Sequence, residues 1–185
     1  SISAEVLEKF FWWSCYAVPL ALGSWRLQKM RVHTIEKSDV DNREYELRLH
    51  LNDGNHLDPQ LNFAEEMEKL PVTNFSALEL KFEPACHVYG ALVLQLLQMH
   101  RICAATKKLK VDLTWSPKAR EACQGNCPCH MPESWRSQSV FCTRLEEVEI
   151  HGFTGADHEQ DFLTMIFKCS PMLKSMNVRL IPHPY

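Results

Sequence analysis

The stretch LEEVEI, residues 145–150, places apolar side chains at Leu145, Val148 and Ile150, and the stretch LKSMNV, residues 173–178, repeats this spacing. The last two apolar positions alternate with polar ones, as in a β-strand that buries one face. The same pattern occurs in LQKMRV (27–32) and FSALEL (75–80), and its last two apolar positions recur in EYELRL (44–49) and TKKLKV (106–111). The sequence therefore predicts a series of similar strands.

The spacing of these strands indicates how they are connected. Their final apolar residues fall at positions 32, 49, 80, 111, 150 and 178, in steps of 17, 31, 31, 39 and 28 residues. Such steps scatter around the ~20–29 residues of leucine-rich repeats and leave room for insertions. Helical patterns lie between strands at 57–71, with Asp58 as the predicted N-cap, at 85–101, and at 155–171, with Phe162, Leu163, Ile166 and Phe167 on one face.

Alternating strands and helices predict an α/β fold. The predicted form is a leucine-rich-repeat-like solenoid with irregular repeats, with parallel strands on one face and helices on the other. An ordinary α/β sandwich built from the same elements is the alternative. We expect one domain over residues 1–185, interrupted by an insertion loop at 116–143 that Trp135 pins to the core.

Composition limits the classes of protein that this chain can represent. Of 185 residues, 45% are hydrophobic and 23% are charged, as in globular proteins, and the net charge of −3 differs from the basic footprint of nucleic-acid binders. The uncharged run 10–25 is short for a membrane span and contains Pro19 and Gly23, so it predicts a buried helix end and a loop. The chain begins at Ser1, and we expect it to be a fragment of a longer protein.

The C-terminal third carries a resemblance to a known family. Its segments WRSQ (135–138), LEEVEIHGFTGADHEQDFL (145–163) and CSPMLKSMNVRL (169–180) closely resemble the C-terminal region of plant F-box/leucine-rich-repeat proteins, above all the grass set with an FBD-type ending. The resemblance is strongest over 127–180 and extends back to about Trp25. It implies the substrate-recognition region of an SCF-type ubiquitin ligase receptor, active in protein ubiquitination. No F-box is found in the chain, so a Skp-type adaptor is an expected partner only if an F-box lies upstream.

The candidate binding residues lie between the apolar positions of the strands and point to the opposite face. They are Arg31, His33, Arg48, His50, Glu79, Lys81, Lys110, Asp112, Glu149, His151, Asn177 and Arg179. If the strands stack in parallel, these residues form charged rows on one exposed, concave face, which suits a protein ligand. We select Arg31, Arg48, His50, Lys110, Glu149 and Arg179 as predicted contacts with a protein target of unknown identity.

A second candidate site is the run CQGNCPCH, residues 123–130. Its Cys-x3-Cys-x-Cys-His spacing departs from the paired ligands of structural zinc sites. We therefore predict no metal and no cofactor, and the alternative is a small zinc-binding domain that uses Cys123, Cys127, Cys129 and His130. The acidic run DHEQD (157–161) is explained by capping of a helix start.

Two further expectations concern chemistry and compartment. The sequence contains no phosphate-binding glycine loop, nucleophile elbow or kinase signature, so no enzymatic activity is predicted. The scattered single cysteines indicate a reducing, intracellular compartment, cytoplasmic or nuclear. Binding to nucleic acid or to membranes is not expected.

Overall fold

The computed structural model describes residues 15–16, 20–22, 25–35, 44–52, 61–70, 75–83, 89–114, 133–138 and 140–181. Their strands are β1 Cys15–Tyr16, β2 Leu20–Leu22, β3 Trp25–Ile35, β4 Glu44–Asn52, β5 Leu61–Asn62, β6 Phe75–Glu83, β7 Lys108–Leu113, β8 Glu147–Phe153 and β9 Ser175–Leu180. The helices are α1 Phe63–Lys69, α2 Gly90–Leu97, α3 His100–Cys103 and α4 Asp157–Cys169, with a 3-10 helix at Glu133–Ser137.

The described strands form one nine-stranded sheet with the order β5-β2-β3-β4-β6-β7-β8-β9, and β1 also pairs with β3. Strands β4, β6, β7, β8 and β9 are parallel, and each is hydrogen-bonded to the next of these five along the chain. The fold is therefore α/β with a five-stranded parallel sheet, as the sequence predicts at this level.

The apolar positions of the parallel strands stand in register. One row is Leu47, Leu78, Leu109, Val148 and Met176, and the next is Leu49, Leu80, Val111, Ile150 and Val178. The members of both rows on β4, β6, β7 and β8 are almost fully buried, and they share one core with buried residues of α1, α2, α3 and α4. Because a single core joins these rows to the helices, the helices cover this face of the sheet.

The prediction of parallel strands is wrong at β3. Strand β3 is antiparallel to β4, with Val32 opposite Leu47 and Arg31 opposite Arg48. Only residues 36–43 connect the two strands, whereas a parallel crossover needs a dozen or more residues. The short step of 17 residues in the sequence therefore indicates a hairpin-like return rather than a repeat.

Three local predictions also need correction. In the run 10–25 the described residues form strands β1 and β2, which both pair with β3, and the first residue of β3, so they are not the predicted loop; the predicted helix end at the start of the run lies outside the described residues. Helix α1 begins at Phe63 rather than after Asp58, because Asn62 Oδ1 accepts a hydrogen bond from Ala64 N at 2.9 Å and caps the helix there. In α4 the side chain of Phe167 is 60% exposed, and the buried positions are Glu159, Phe162, Met165, Ile166 and Cys169.

Trp135 anchors the segment that leads into β8. The 3-10 helix that carries Trp135 lies inside the predicted loop 116–143, and the indole is 1% exposed. It packs on the first residue of α2, where a Cβ added to Gly90 would lie 2.5 Å from the ring atom Cη2 of Trp135. A glycine is thus required at position 90 to admit the indole.

Candidate protein-binding surface

The polar face is the side of the parallel sheet opposite the helices. It consists of three rows in register: Glu46, Ala77, Lys108, Glu147 and Ser175; Arg48, Glu79, Lys110, Glu149 and Asn177; and His50, Lys81, Asp112, His151 and Arg179. The rows follow from the period of two along each strand, because each of these residues directly precedes or follows a residue of the buried rows.

Glu79 stands at the centre of an ion-pair network on this face. Its carboxylate lies 2.8 Å from Arg48 Nε and 3.4 Å from Lys110 Nζ, so that a cation from each neighbouring strand contacts it. The same Arg48 guanidinium contacts Glu46 at 2.8 Å. With cations on both sides, Glu79 is only 8% exposed although it lies on the polar face.

The network continues across β7 to β8. Lys110 Nζ lies 3.1 Å from Asp112 Oδ2, and His151 Nδ1 lies 2.9 Å from Asp112 Oδ1. Partial burial acts to lower the pKa of Lys110, but the hydrogen bond to Asp112 and the negative charges of Glu79 and Asp112 together raise it above its ordinary value. Lys110 is therefore held in its charged form by its neighbours.

Three further ion pairs join β8, or the residue just before it, to the neighbouring segments. Lys108 Nζ on β7 lies 3.2 Å from Glu149 and 3.6 Å from Glu147. Just ahead of β8 and β9, Lys174 Nζ lies 2.8 Å from Glu146 Oε2, and this hydrogen bond lowers the pKa of the Glu146 carboxyl. Opposite charges on adjacent strands thus repeat from β4 to β8, as favourable cross-strand pairs do, and the Glu146–Lys174 pair joins the residues just before β8 and β9.

Lys81 and Arg179 differ from the other cations of the polar face. Both side chains are exposed, and neither has an ion pair with any residue that the structure describes. Their register positions lie in the same row, on β6 and on β9, with Asp112 and His151 between them. A ligand carboxylate would not have to displace an ion pair with any described residue at these two positions.

The structure separates the predicted binding residues into groups. Arg48, Lys110 and Glu149 are on the polar face but engage in internal ion pairs, whereas Arg179 is exposed and has none with described residues. His50 belongs to the same row as Arg179. Arg31 pairs with Arg48 in the antiparallel register, so the prediction that it extends a parallel row is wrong.

Lys81 and Glu79 were not selected from the sequence as contacts. Both are in FSALELKFE, residues 75–83, at the same alternate positions that single out Arg48 and His50 in the neighbouring strand. The alternation of apolar and polar residues along this strand therefore indicates that both residues lie on the polar face. It does not indicate which cations form internal ion pairs, because that depends on the cross-strand register.

The metal candidates Cys123, Cys127, Cys129 and His130 lie outside the described residues. Within the described parts of the chain, no group of three or more His, Cys, Asp or Glu side chains is arranged to hold a metal ion. The prediction that this loop binds no metal, and its zinc-binding alternative, both remain predictions.

The acidic run at the start of α4 has a structural role. Glu159 Oε2 accepts hydrogen bonds from the backbone N–H groups of Thr154, Gly155 and Ala156 at 2.7–3.1 Å, and from Thr154 Oγ1 at 2.9 Å. The side chain of Glu159 is fully buried by this turn. The predicted capping role of the run is therefore confirmed at Glu159, which lies near the positive end of the helix dipole.

Comparison with protein-family models, with curated proteins and with solved structures finds no match for this chain. In the ranges that the structure describes, no helix is both long enough and apolar enough to cross a bilayer. The polar face and its charges are the features of the described residues that bear on function.

Proposed function

We propose that this chain is a protein–protein interaction module that resembles the substrate-recognition region of an F-box receptor of an SCF-type ubiquitin ligase. The observation that carries the proposal is the polar face: five parallel strands in register present a mostly charged surface, while the helices that the structure describes pack on the opposite side. In this proposal the chain holds a protein target and performs no catalysis.

The finer architecture that we propose is a leucine-rich-repeat-like solenoid. Each parallel strand pairs with the next along the chain, and Leu49, Leu80 and Val111 occupy one row at equal intervals of 31 residues. Stacked strand–helix units of this kind bury a shared core and leave one broad strand face for a partner. Strand β3, which is antiparallel, lies outside this repeating part.

The arrangement of charge indicates how a target would bind. Most charges on the polar face are paired with one another, so they contribute a fixed pattern and little net attraction. Lys81 and Arg179 are available for carboxylates of a target, and we propose that an acidic segment of the target lies across β6 to β9 between them. Binding of a Skp-type adaptor would require an F-box in a segment that precedes Ser1.

The experiment is affinity capture from grass leaf extract with the immobilised chain, compared with the double variant Lys81→Glu/Arg179→Glu. We expect the double variant to lose the proteins that the wild-type chain captures, because two favourable contacts become repulsive. Reversal of Arg48 and Lys110 is a poorer test, since both hold Glu79 and their loss would also disturb the sheet.

A matched control carries the same change in net charge away from the polar face. Arg144 and Lys168 are exposed and lie before β8 and in α4, so Arg144→Glu/Lys168→Glu should capture the same proteins as the wild-type chain. Thermal unfolding of both variants verifies that they are folded. Identical capture by the wild-type chain and the Lys81→Glu/Arg179→Glu variant would refute the proposed binding surface.

A further inference from the structure

Three cysteines from different parts of the chain meet at the helical side of the sheet. Cys103 ends α3, Cys142 lies in the turn before β8, and Cys169 ends α4. All three are free thiols. Cys103 Sγ lies 3.5 Å from Cys142 Sγ, and Cys142 N donates a hydrogen bond to the carbonyl oxygen of Cys169 at 2.8 Å.

The contact between Cys103 and Cys142 follows from the stacking of units. Cys103 precedes Leu109 by six residues and Cys142 precedes Val148 by six, and Leu109 pairs with Val148 between β7 and β8. The two thiols thus occupy equivalent positions in adjacent units. Cys103 Sγ also lies 3.2 Å from the carbonyl oxygen of Phe141, which fixes its side chain beside Cys142.

We propose that Cys103 and Cys142 form a site of reversible oxidative modification, in which a small disulfide such as oxidised glutathione converts the two thiols into an intramolecular disulfide. A disulfide bond is about 2.05 Å long, so each sulfur must move by less than about 1 Å from its present position. Transient disulfides of this kind are the form found in reducing compartments.

The two thiols differ in access, which sets the order of the steps. Cys103 is half-buried, whereas Cys142 is 1% exposed. Burial raises the pKa of the Cys142 thiol strongly, and Cys103 and Cys169 raise it further. Cys103 is therefore the thiol that an oxidant reaches first, and Cys142 is the slower resolving thiol.

The reaction balances with one oxidised glutathione for each protein. The Cys103 thiolate attacks a glutathione sulfur, forms a mixed disulfide and releases one glutathione thiolate, which takes up a proton. Cys142 then loses its proton and attacks Cys103 Sγ, and the second glutathione leaves as a thiol. The protein loses two protons and two electrons, and one glutathione disulfide takes them up to become two glutathione thiols.

The test is a time course of the reduced chain with oxidised glutathione, followed by acid quenching, alkylation of free thiols and peptide mass mapping. We expect a glutathione adduct at Cys103 first, and later a peptide pair that joins Cys103 to Cys142. The second phase should accelerate as the pH rises from 7 to 9, because it depends on the Cys142 thiolate. Closing a loop of about forty residues should raise Tm by about 10 °C.

Two matched variants identify the partner of Cys103. With Cys142→Ala we expect the reaction to stop at the Cys103 adduct, whereas Cys169→Ala should form the crosslink as the wild-type chain does. If the Cys142→Ala variant does not fold, peptide mapping of the oxidised wild-type chain alone still identifies the cysteine that pairs with Cys103. A Cys103 adduct that never resolves, or a dominant pairing of Cys103 with any other cysteine, would overturn the proposal.

Discussion

Strand β9 has nearly the same pattern of apolar residues as β8 but a very different environment. Val148 and Ile150 on β8 are almost completely buried, whereas Met176 and Val178, their register partners on β9, are only partly buried. Leu180, opposite Phe153, is 70% exposed, and Met172 and Ile181 nearby are also exposed. Strand β8 has a neighbour on each side, while β9 pairs only with β8 among the described strands.

This difference shows that the apolar pattern of a strand does not by itself bury its side chains. A strand in the middle of the sheet receives cover from the helix that follows it and from those of its neighbours, and a strand at the edge receives less. The stability that each apolar residue contributes should therefore fall from β7 and β8 to β9. Three comparisons of variants test how much the position of a residue in the sheet determines its contribution, and the comparison of Val111 with Val178 tests this gradient directly.

The largest effect is expected for Gly152→Ala on β8. Gly152 has φ +83, and a Cβ added there would lie 2.2 Å from the carbonyl oxygen of Leu113 on β7. Strain and the backbone clash should together lower the free energy of unfolding by about 4 kcal/mol, measured by urea denaturation. Gly155 has φ +87 with open space around it, so Gly155→Ala should cost only about 1 kcal/mol. Equal losses would show that β7 and β8 can separate at low cost.

A smaller effect is expected for Val111→Ala compared with Val178→Ala. Both valines stand in the same row, but Val111 is fully buried and Val178 is partly exposed. The free energy of unfolding should fall by about 2 kcal/mol for Val111→Ala and by less than about 1 kcal/mol for Val178→Ala. The same atoms are removed in both variants, but only Val111→Ala leaves a cavity. Chemical denaturation of the two variants measures this difference. A cost at Val178 that matches Val111 would mean that β9 is covered as fully as β7.

The smallest effect is expected on the polar face, for Glu79→Gln compared with Glu149→Gln. Glu79 contacts cations on two neighbouring strands and is nearly buried, whereas Glu149 contacts Lys108 alone among the described cations and is more exposed. We expect the free energy of unfolding to fall by about 1.5 kcal/mol for Glu79→Gln and by at most about 0.5 kcal/mol for Glu149→Gln. Unfolding at low and at high salt measures both. A larger loss at Glu149 would place the centre of the network on β8 instead.

Much of this fold could be predicted because its strands repeat one pattern. The spacing in FSALEL, TKKLKV, LEEVEI and LKSMNV predicted the parallel strands, the buried rows and the residues of the polar face. The direction of β3 was mispredicted, since its pattern is the same in a parallel and in an antiparallel strand. Only the length of the connection at 36–43 distinguishes the two cases.

The charge pairing and the thiol contact could not be predicted in the same way. Whether Lys110 or Lys81 forms ion pairs with the described residues depends on cross-strand distances of about 3 Å, which a pattern along one strand does not contain. The contact between Cys103 and Cys142 joins residues far apart in the sequence. The sequence does show that Cys103 lies six residues before Leu109 and that Cys142 lies six residues before Val148. Because Leu109 pairs with Val148 between β7 and β8, this equal spacing places the two cysteines at equivalent positions.

The order of the strands has a mechanical consequence. Because each parallel strand is hydrogen-bonded to the next of them along the chain, a force applied through the chain after Leu180 loads the ladder between β8 and β9 first. Once β9 detaches, the load passes to β8 and then to β7, so the sheet should peel one strand at a time. Under tension the parallel part of the sheet should lengthen in steps of about one strand and its connection, and β9, with its partly exposed apolar residues, should be the first strand to detach.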